Sequence, residues 1–146
     1  MIATQAEILR LFVPGQPVAK GRPRLTIRAG HARAFTPAKT VAYEGLIALA
    51  GQQAMNGHDP YECALSMSVR AIFQIPMSWS KRKRLDAIAG LVWHTSKPDG
   101  DNVLKAVGDG LNGIVWRDDS QLSSCYISKA YGATPGLDIR VEVLPA

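Results

Sequence analysis

The chain has 146 residues, 47% of them hydrophobic and 20% charged, with a formal net charge of +5. That length suits one domain with a real hydrophobic core, and the balance excludes a disordered polypeptide. No apolar run reaches the roughly 18 residues that a bilayer crossing needs, and the stretch Met1 to Arg10 carries Glu7 and lacks the order of an export signal.

Ile8 to Val13 is apolar and β-prone, and Pro14-Gly15 ends it, so a first strand is expected there. Gln16 to Arg24 holds further prolines and reads as a loop or an irregular extended segment. Leu25 to Phe35 has the pattern of a hairpin turning at Ala29-Gly30. Thr36-Pro37 then resembles a helix start, with Val41, Leu46, Ile47, Leu49 and Ala50 supporting an amphipathic helix to about Ala54. Asn56 to Pro60 is a turn-rich break.

Cys63 to Ile75 alternates and reads as a long strand ending at Pro76. Ser78 or Ser80 caps a predicted helix over Lys81 to Ala89, which Gly90 stops. Asn102 to Leu111 is a third helix, closed by Asn112-Gly113. Ile114 to Trp116, Leu122 to Ala130 and Leu137 to Leu144 are the remaining predicted strands. Strands mixed with about three helices give an α+β fold: one compact domain over residues 1–146, with a mixed, mostly antiparallel sheet. Cys63 and Cys125 have no CxxC or Cys/His company and read as buried, reduced thiols of a cytoplasmic protein.

Charge is segregated along this order. No acid stands between Glu7 and Glu44, whereas Arg10, Lys20, Arg22, Arg24, Arg28, Arg33 and Lys39 all do. Lys20, Arg22 and Arg24 alternate, so an extended backbone puts them on one side. A second run is Lys81-Arg82-Lys83-Arg84. Such surfaces hold phosphate backbones with salt-sensitive affinity. The alternative is a solvated basic surface without a ligand.

Into this basic chain five aspartates are gathered between Asp99 and Asp119. Carboxylates this crowded repel one another unless a cation sits among them. Asp99 and Asp101 alternate on the approach to a helix, and Asp101 is placed as its N-cap, where a negative charge is favoured. At 100° per residue, Asp101, Lys105, Asp109 and Asn112 share an arc of roughly 80°, opposite Val103, Leu104, Val107 and Leu111. Gly108 and Gly110 weaken that helix and admit a close neighbour. Asp119 or Asp118, returning after Trp116, completes an oxygen site for Mg2+ or Mn2+, with Lys105 near a bound phosphate or its attacking water. The competing interpretation is a capped helix with a surface salt bridge. His31 and His58 fall in turns, and His94 reads as a structural or DNA-facing group. Trp79, Trp93 and Trp116 are candidates for base stacking or for the core.

The string KPDGDNVLKAVGDGLNGIVWRDDSQ resembles the signature of RusA-type endodeoxyribonucleases, K-P-D-x-D-N-x-x-K-x-x-x-D-x-L-N-G followed by D-D-x-Q. Val13 to Arg24 is similar to the family's opening G-x-P-x-x-K-x-R-P-R element, and Phe35 to Glu44 to its first helix. The resemblance runs from about residue 12 to 130. It implies a homodimer, of phage or bacterial-host type, that binds a four-way DNA junction and uses Mg2+ to cut two opposed strands. It implies Asp99, Asp101 and Lys105 as catalytic residues, with Asp119 as the first choice for the third acid and metal ligand and Asp118 as the second. Lys20, Arg22, Arg24, Arg28, Lys81, Arg82, Lys83, Arg84 and Lys97 are the expected DNA contacts. A nuclease for flaps or other branched DNA and a non-catalytic junction-binding protein are the alternatives. Gly100 stands where the family's members usually carry an apolar residue, and implies a looser acidic loop and weaker metal affinity.

Overall fold

A computed structural model of the chain describes residues 7–18, 24–28, 30–35 and 38–146. Strand β1 (Glu7–Pro14) is followed by a hairpin of β2 (Arg24–Arg28) and β3 (His31–Phe35), then helix α1 (Ala38–Met55) and strand β4 (Leu65–Phe73). Helices α2 (Lys81–Ile88) and α3 (Gly100–Leu111) come next, then a 3-10 turn at Asp119–Gln121 and strands β5 (Leu122–Tyr131) and β6 (Gly136–Val143). The four-stranded sheet has the order β1-β6-β4-β5. Pairs β1–β6 and β4–β6 are antiparallel, and β4–β5 is parallel. A parallel pair requires a long crossover. Here that crossover carries α2, α3 and all five aspartates between Asp99 and Asp119. The architecture is α+β, as expected.

Alternation decides which sheet face is dry. Leu65, Met67, Val69, Ala71 and Phe73 of β4, Leu137, Ile139 and Val141 of β6, and Leu11 and Val13 of β1 all point to one side and are buried. Each large aliphatic or aromatic side chain among them stabilises the fold by about 1.5–3 kcal/mol. Helices α1 and α3 cover this face, with Ile47, Val103, Val107 and Leu111 fully buried. The two helices touch through glycines. A Cβ on Gly110 would stand 2.7 Å from Cγ2 of Ile47, and one on Gly51 would stand 2.6 Å from Cδ2 of Leu111. The close neighbour expected at Gly110 is therefore α1. No helix of the described residues is long and apolar enough to cross a membrane.

Four expectations need correction. α1 is not amphipathic: its buried stripe is Thr40, Tyr43, Ile47, Gly51 and Met55, while Val41, Leu46 and Leu49 face solvent. Ile114 to Trp116 is no strand, because the terminal carbonyl of α3, Leu111 O, accepts from the amides of Ile114 and Val115 and draws them into a turn. Only isolated bridges, Tyr61 with Trp116 and Asn112 with Trp116, remain there. Cys63 and Cys125 are free but exposed, one in a loop and the other on the edge strand β5. Finally, α3 starts at Gly100, so Asp99 is its N-cap and Asp101 lies inside the first turn. Ser80 does cap α2, its Oγ accepting from Lys83 N at 3.2 Å. Thr36 and Pro37 lie outside the described residues.

Candidate active site

The acidic motif begins in the loop between α2 and α3 and has an external anchor. The Nζ of Lys129, on β5, donates to Ser96 O at 2.8 Å and to Pro98 O at 2.9 Å. The Lys97–Pro98 peptide bond is cis. Asp99 follows in an extended conformation, φ −67° and ψ 148°, and its carboxylate makes no capping hydrogen bond. Gly100 then opens α3 close against β5: a Cβ there would meet Cγ2 of Ile127 at 3.3 Å. The absence of a side chain brings the helix start down onto the sheet. Asp101 and Lys105 are exposed on successive turns, and Val103, Ala106 and Val107 fill the buried side.

The second acidic element is built by a different set of bonds. Gln121 accepts from the amides of Arg117 and Asp118 through Oε1, both at 2.9 Å. Its Nε2 donates to Tyr61 O and Cys63 O, at 2.7 and 3.0 Å. The glutamine of D-D-x-Q thus pins the turn to the loop ahead of β4. Asp118 caps that turn by accepting from Ser120 N at 3.0 Å. The bonds to Ser120 hold its carboxyl below the usual carboxylate range.

Asp119 faces the other way. Its Oδ1 accepts from the indole Nε1 of the fully buried Trp116 at 2.7 Å. Its carboxylate lies beside α3, where both oxygens would be 3.8 Å from a Cβ on Gly108. Gly108 is seven residues past Asp101, so it returns to the same helix face about 10 Å further along the axis. Partial desolvation pushes the Asp119 carboxyl up; the Trp116 bond opposes this, and the charges of Asp109 and Asp118 add to it. The adjacent Cys125 thiol is also pushed up, first by burial and then by the charge of Asp119.

Asp101, Lys105 and Asp119 are thereby brought to one flank of α3, with Asp99 at its head. The four do not collapse into a finished cage. Among the described residues no group of three or more histidines, cysteines or acids stands close enough to hold a metal ion. The donor set is nevertheless all oxygen. That fits Mg2+, which keeps several waters and uses one or two carboxylates together with substrate phosphates.

Among the expected DNA contacts, Lys20 and Arg22 lie outside the described residues, and Arg24 and Arg28 mark the two ends of β2. The run on α2 divides. Arg82 pairs with Asp86 at 3.5 Å, and Lys83 Nζ sits 3.9 Å from the centroid of the Trp79 ring. Lys81 and Arg84 border a cleft of about 550 Å3 with Met77, Leu85 and Ile88. Lys97 lines a larger cleft, about 840 Å3, with Asp99, Asn102, Lys39 and Gln16 to Val18. Trp116 belongs to the core, Trp79 packs edge-on to Tyr131, and Trp93 is 68% exposed. His94 is buried, its ring stacked on Phe73 with centroids 3.6 Å apart.

Sequence reasoning missed Lys129 and the bond from Trp116. The signal for Lys129 was a lysine at an inward position of an alternating strand.

A family model described as Endodeoxyribonuclease RusA matches residues 14–142. A Bacillus subtilis (strain 168) protein, "Uncharacterized protein YqaN", is 35% identical over 145 residues, which is 96% of this chain and 99% of that protein.

Proposed function

Because the chain belongs to the RusA family of endodeoxyribonucleases, we propose that it is a Mg2+-dependent nuclease that resolves four-way DNA junctions. It does so by paired phosphodiester hydrolysis during recombination and repair. The observation that supports this most is the placing of Asp119 beside Gly108, on the helix flank that carries Asp101 and Lys105. Asp99, Asp101 and Asp119 would hold the divalent ion, and Mn2+ would substitute for Mg2+. When bound, the ion acidifies a water and offsets charge on the phosphodiester. Lys105 pairs with the bound phosphate or with the attacking water. Asp118, committed to its turn, is the weaker candidate for the third ligand.

The 146-residue chain acts as one nuclease domain in the cytoplasm of a bacterial cell or a phage-infected host. Two copies related by a two-fold axis present one centre to each of two opposed strands, matching the symmetry of a junction. Lys20, Arg22, Arg24, Arg28, Lys97 and the α2 run contact phosphates without reading sequence.

A cleavage assay on a synthetic four-way junction tests the proposal. Cutting should require Mg2+ or Mn2+, and Asp101→Asn should abolish it while junction binding persists. Equal rates on junction, flap and linear duplex would overturn the junction-resolving assignment. Binding without cutting in any divalent metal would identify a non-catalytic junction binder.

A further inference from the structure

We propose that Lys129 is a positioning residue of the hydrolytic centre, setting the loop that delivers Asp99 and Asp101 through its two bonds to main-chain carbonyls. The inference rests on the nuclease reading above and names a residue outside the acidic motif.

Lys129 occupies an unusual place. In the parallel register Ile127 pairs with Val69 and Lys129 with Ala71, and both β4 partners are buried on the core-facing side of the sheet. Lys129 therefore points towards the layer occupied by α3, where an apolar residue would ordinarily stand. An ammonium group there needs compensating acceptors. It finds them in Ser96 O and Pro98 O, at 2.8 and 2.9 Å. These carbonyls belong to a segment with little support of its own. Among the described residues, the main chain of 92–98 makes no backbone–backbone hydrogen bond between Leu91 N to Asp86 O and Val103 N to Asp99 O. The loop is instead held by side chains: the His94 ring on Phe73, and Lys129 beneath its last turn.

The location of this anchor matters for chemistry. Pro98 O belongs to the residue directly before Asp99, whose own side chain makes no capping bond. Among the described residues, no capping hydrogen bond therefore fixes the direction of the Asp99 carboxylate. Lys129 fixes the peptide from which Asp99 departs, and through Gly100 it fixes the start of α3. An ammonium group has three donors, and two of them are used on the loop.

The test compares wild type, Lys129→Met and Lys129→Arg. Mn2+ binding to the free protein is read by electron paramagnetic resonance, beside junction binding in EDTA, single-turnover junction cleavage and thermal melting. Loss of a group that orients metal ligands typically costs about 10–100-fold in metal affinity or activity. Lys129→Met is expected to lose that much in both Mn2+ affinity and cleavage rate, with metal-free junction affinity within about twofold of wild type. Lys129→Arg, which keeps the cation and its donors, should recover part of both. Lys129→Gln, shorter and neutral, serves if the methionine variant does not fold, and the same losses are expected.

A folded Lys129→Met that binds Mn2+ and cuts like wild type overturns the proposal, as do losses that merely track its unfolded fraction. Wild type that cuts no junction overturns the functional reading first, and this proposal with it. Wild type that cuts beside an unimpaired variant overturns this proposal alone.

Discussion

The buried indole of Trp116 donates its only hydrogen bond-forming proton to Oδ1 of Asp119, at 2.7 Å. The core thus reaches directly into the candidate site and aims one carboxylate along α3. Trp116→Phe keeps an aromatic ring in the core but deletes the donor. A hydrogen bond to a charged group contributes about 1.5–3 kcal/mol, so chemical denaturation should register a loss of roughly that size plus a small packing defect. Mn2+ affinity of the free protein should fall as well, because Asp119 is no longer held to one rotamer. Unchanged stability in Trp116→Phe would show that the bond contributes nothing net.

Asp118 and Asp119 are adjacent in sequence and opposite in role. Asp118 is exposed and accepts from Ser120 N, a task that an asparagine side-chain oxygen also performs. Asp119 faces Gly108 and Asp109 rather than its own turn. Asp118→Asn should therefore keep junction cleavage within a few-fold of wild type, and Asp119→Asn should remove it. Single-turnover rates on a four-way junction decide between them, and the reverse pattern would exchange their assignments.

Much of this arrangement was legible because it depends on local chemistry. Ser80 as cap, Gly90 and Gly113 at positive φ after helices, and the hairpin turning at Gly30 all follow from short-range preferences. The dry face of α3 followed from its 100° periodicity. The errors arose where neighbours distant in sequence decide. Asp-x-Asp alternation suggested an extended approach, yet Val103 N donates to Asp99 O and Gly100 joins the helix, packed against Ile127 of β5. Residue type suggested buried cysteines, yet strand order puts Cys125 on an edge. Lys129 and the loop it anchors are 31 and 33 residues apart, and no local pattern links them.

His94 gives the fold a pH dependence of definite sign. Burial, followed by the charge of Lys129, lowers its pKa from the ordinary 6.5. The folded state therefore binds this proton less readily than the unfolded chain does. His94's contribution to stability is complete above pH 6.5 and is lost as the pH falls below that value, levelling off beneath the folded pKa. Its buried Nδ1 has no hydrogen-bond partner among the described residues. His94→Phe keeps a ring to pack on Phe73 and removes the titration. The stability of the variant minus that of wild type should therefore rise as the pH falls from 8 to about 5, because only wild type loses stability there. A constant difference would place the acid sensitivity elsewhere.

Gly108 and Gly110 of α3 should respond oppositely to alanine. Either substitution removes the helix penalty of glycine, about 1 kcal/mol. At Gly110 the new methyl would stand 2.7 and 2.8 Å from Ile47 side-chain carbons and 3.1 Å from the main-chain oxygen of Glu44. α1 would have to retreat, and overpacking of this kind costs about 1–3 kcal/mol. Gly110→Ala is therefore expected to be neutral to clearly destabilising. At Gly108 the nearest atoms are those of the Asp119 carboxylate, 3.8–3.9 Å away, an ordinary contact distance. Gly108→Ala should gain up to about 1 kcal/mol. Because its methyl borders Asp119, this variant should also shift the Mn2+ affinity of the free protein, which Gly110→Ala should leave alone once its unfolded fraction is subtracted. Denaturation curves and Mn2+ titrations of the two variants, taken together, separate the helix flank that serves the site from the one that packs against α1.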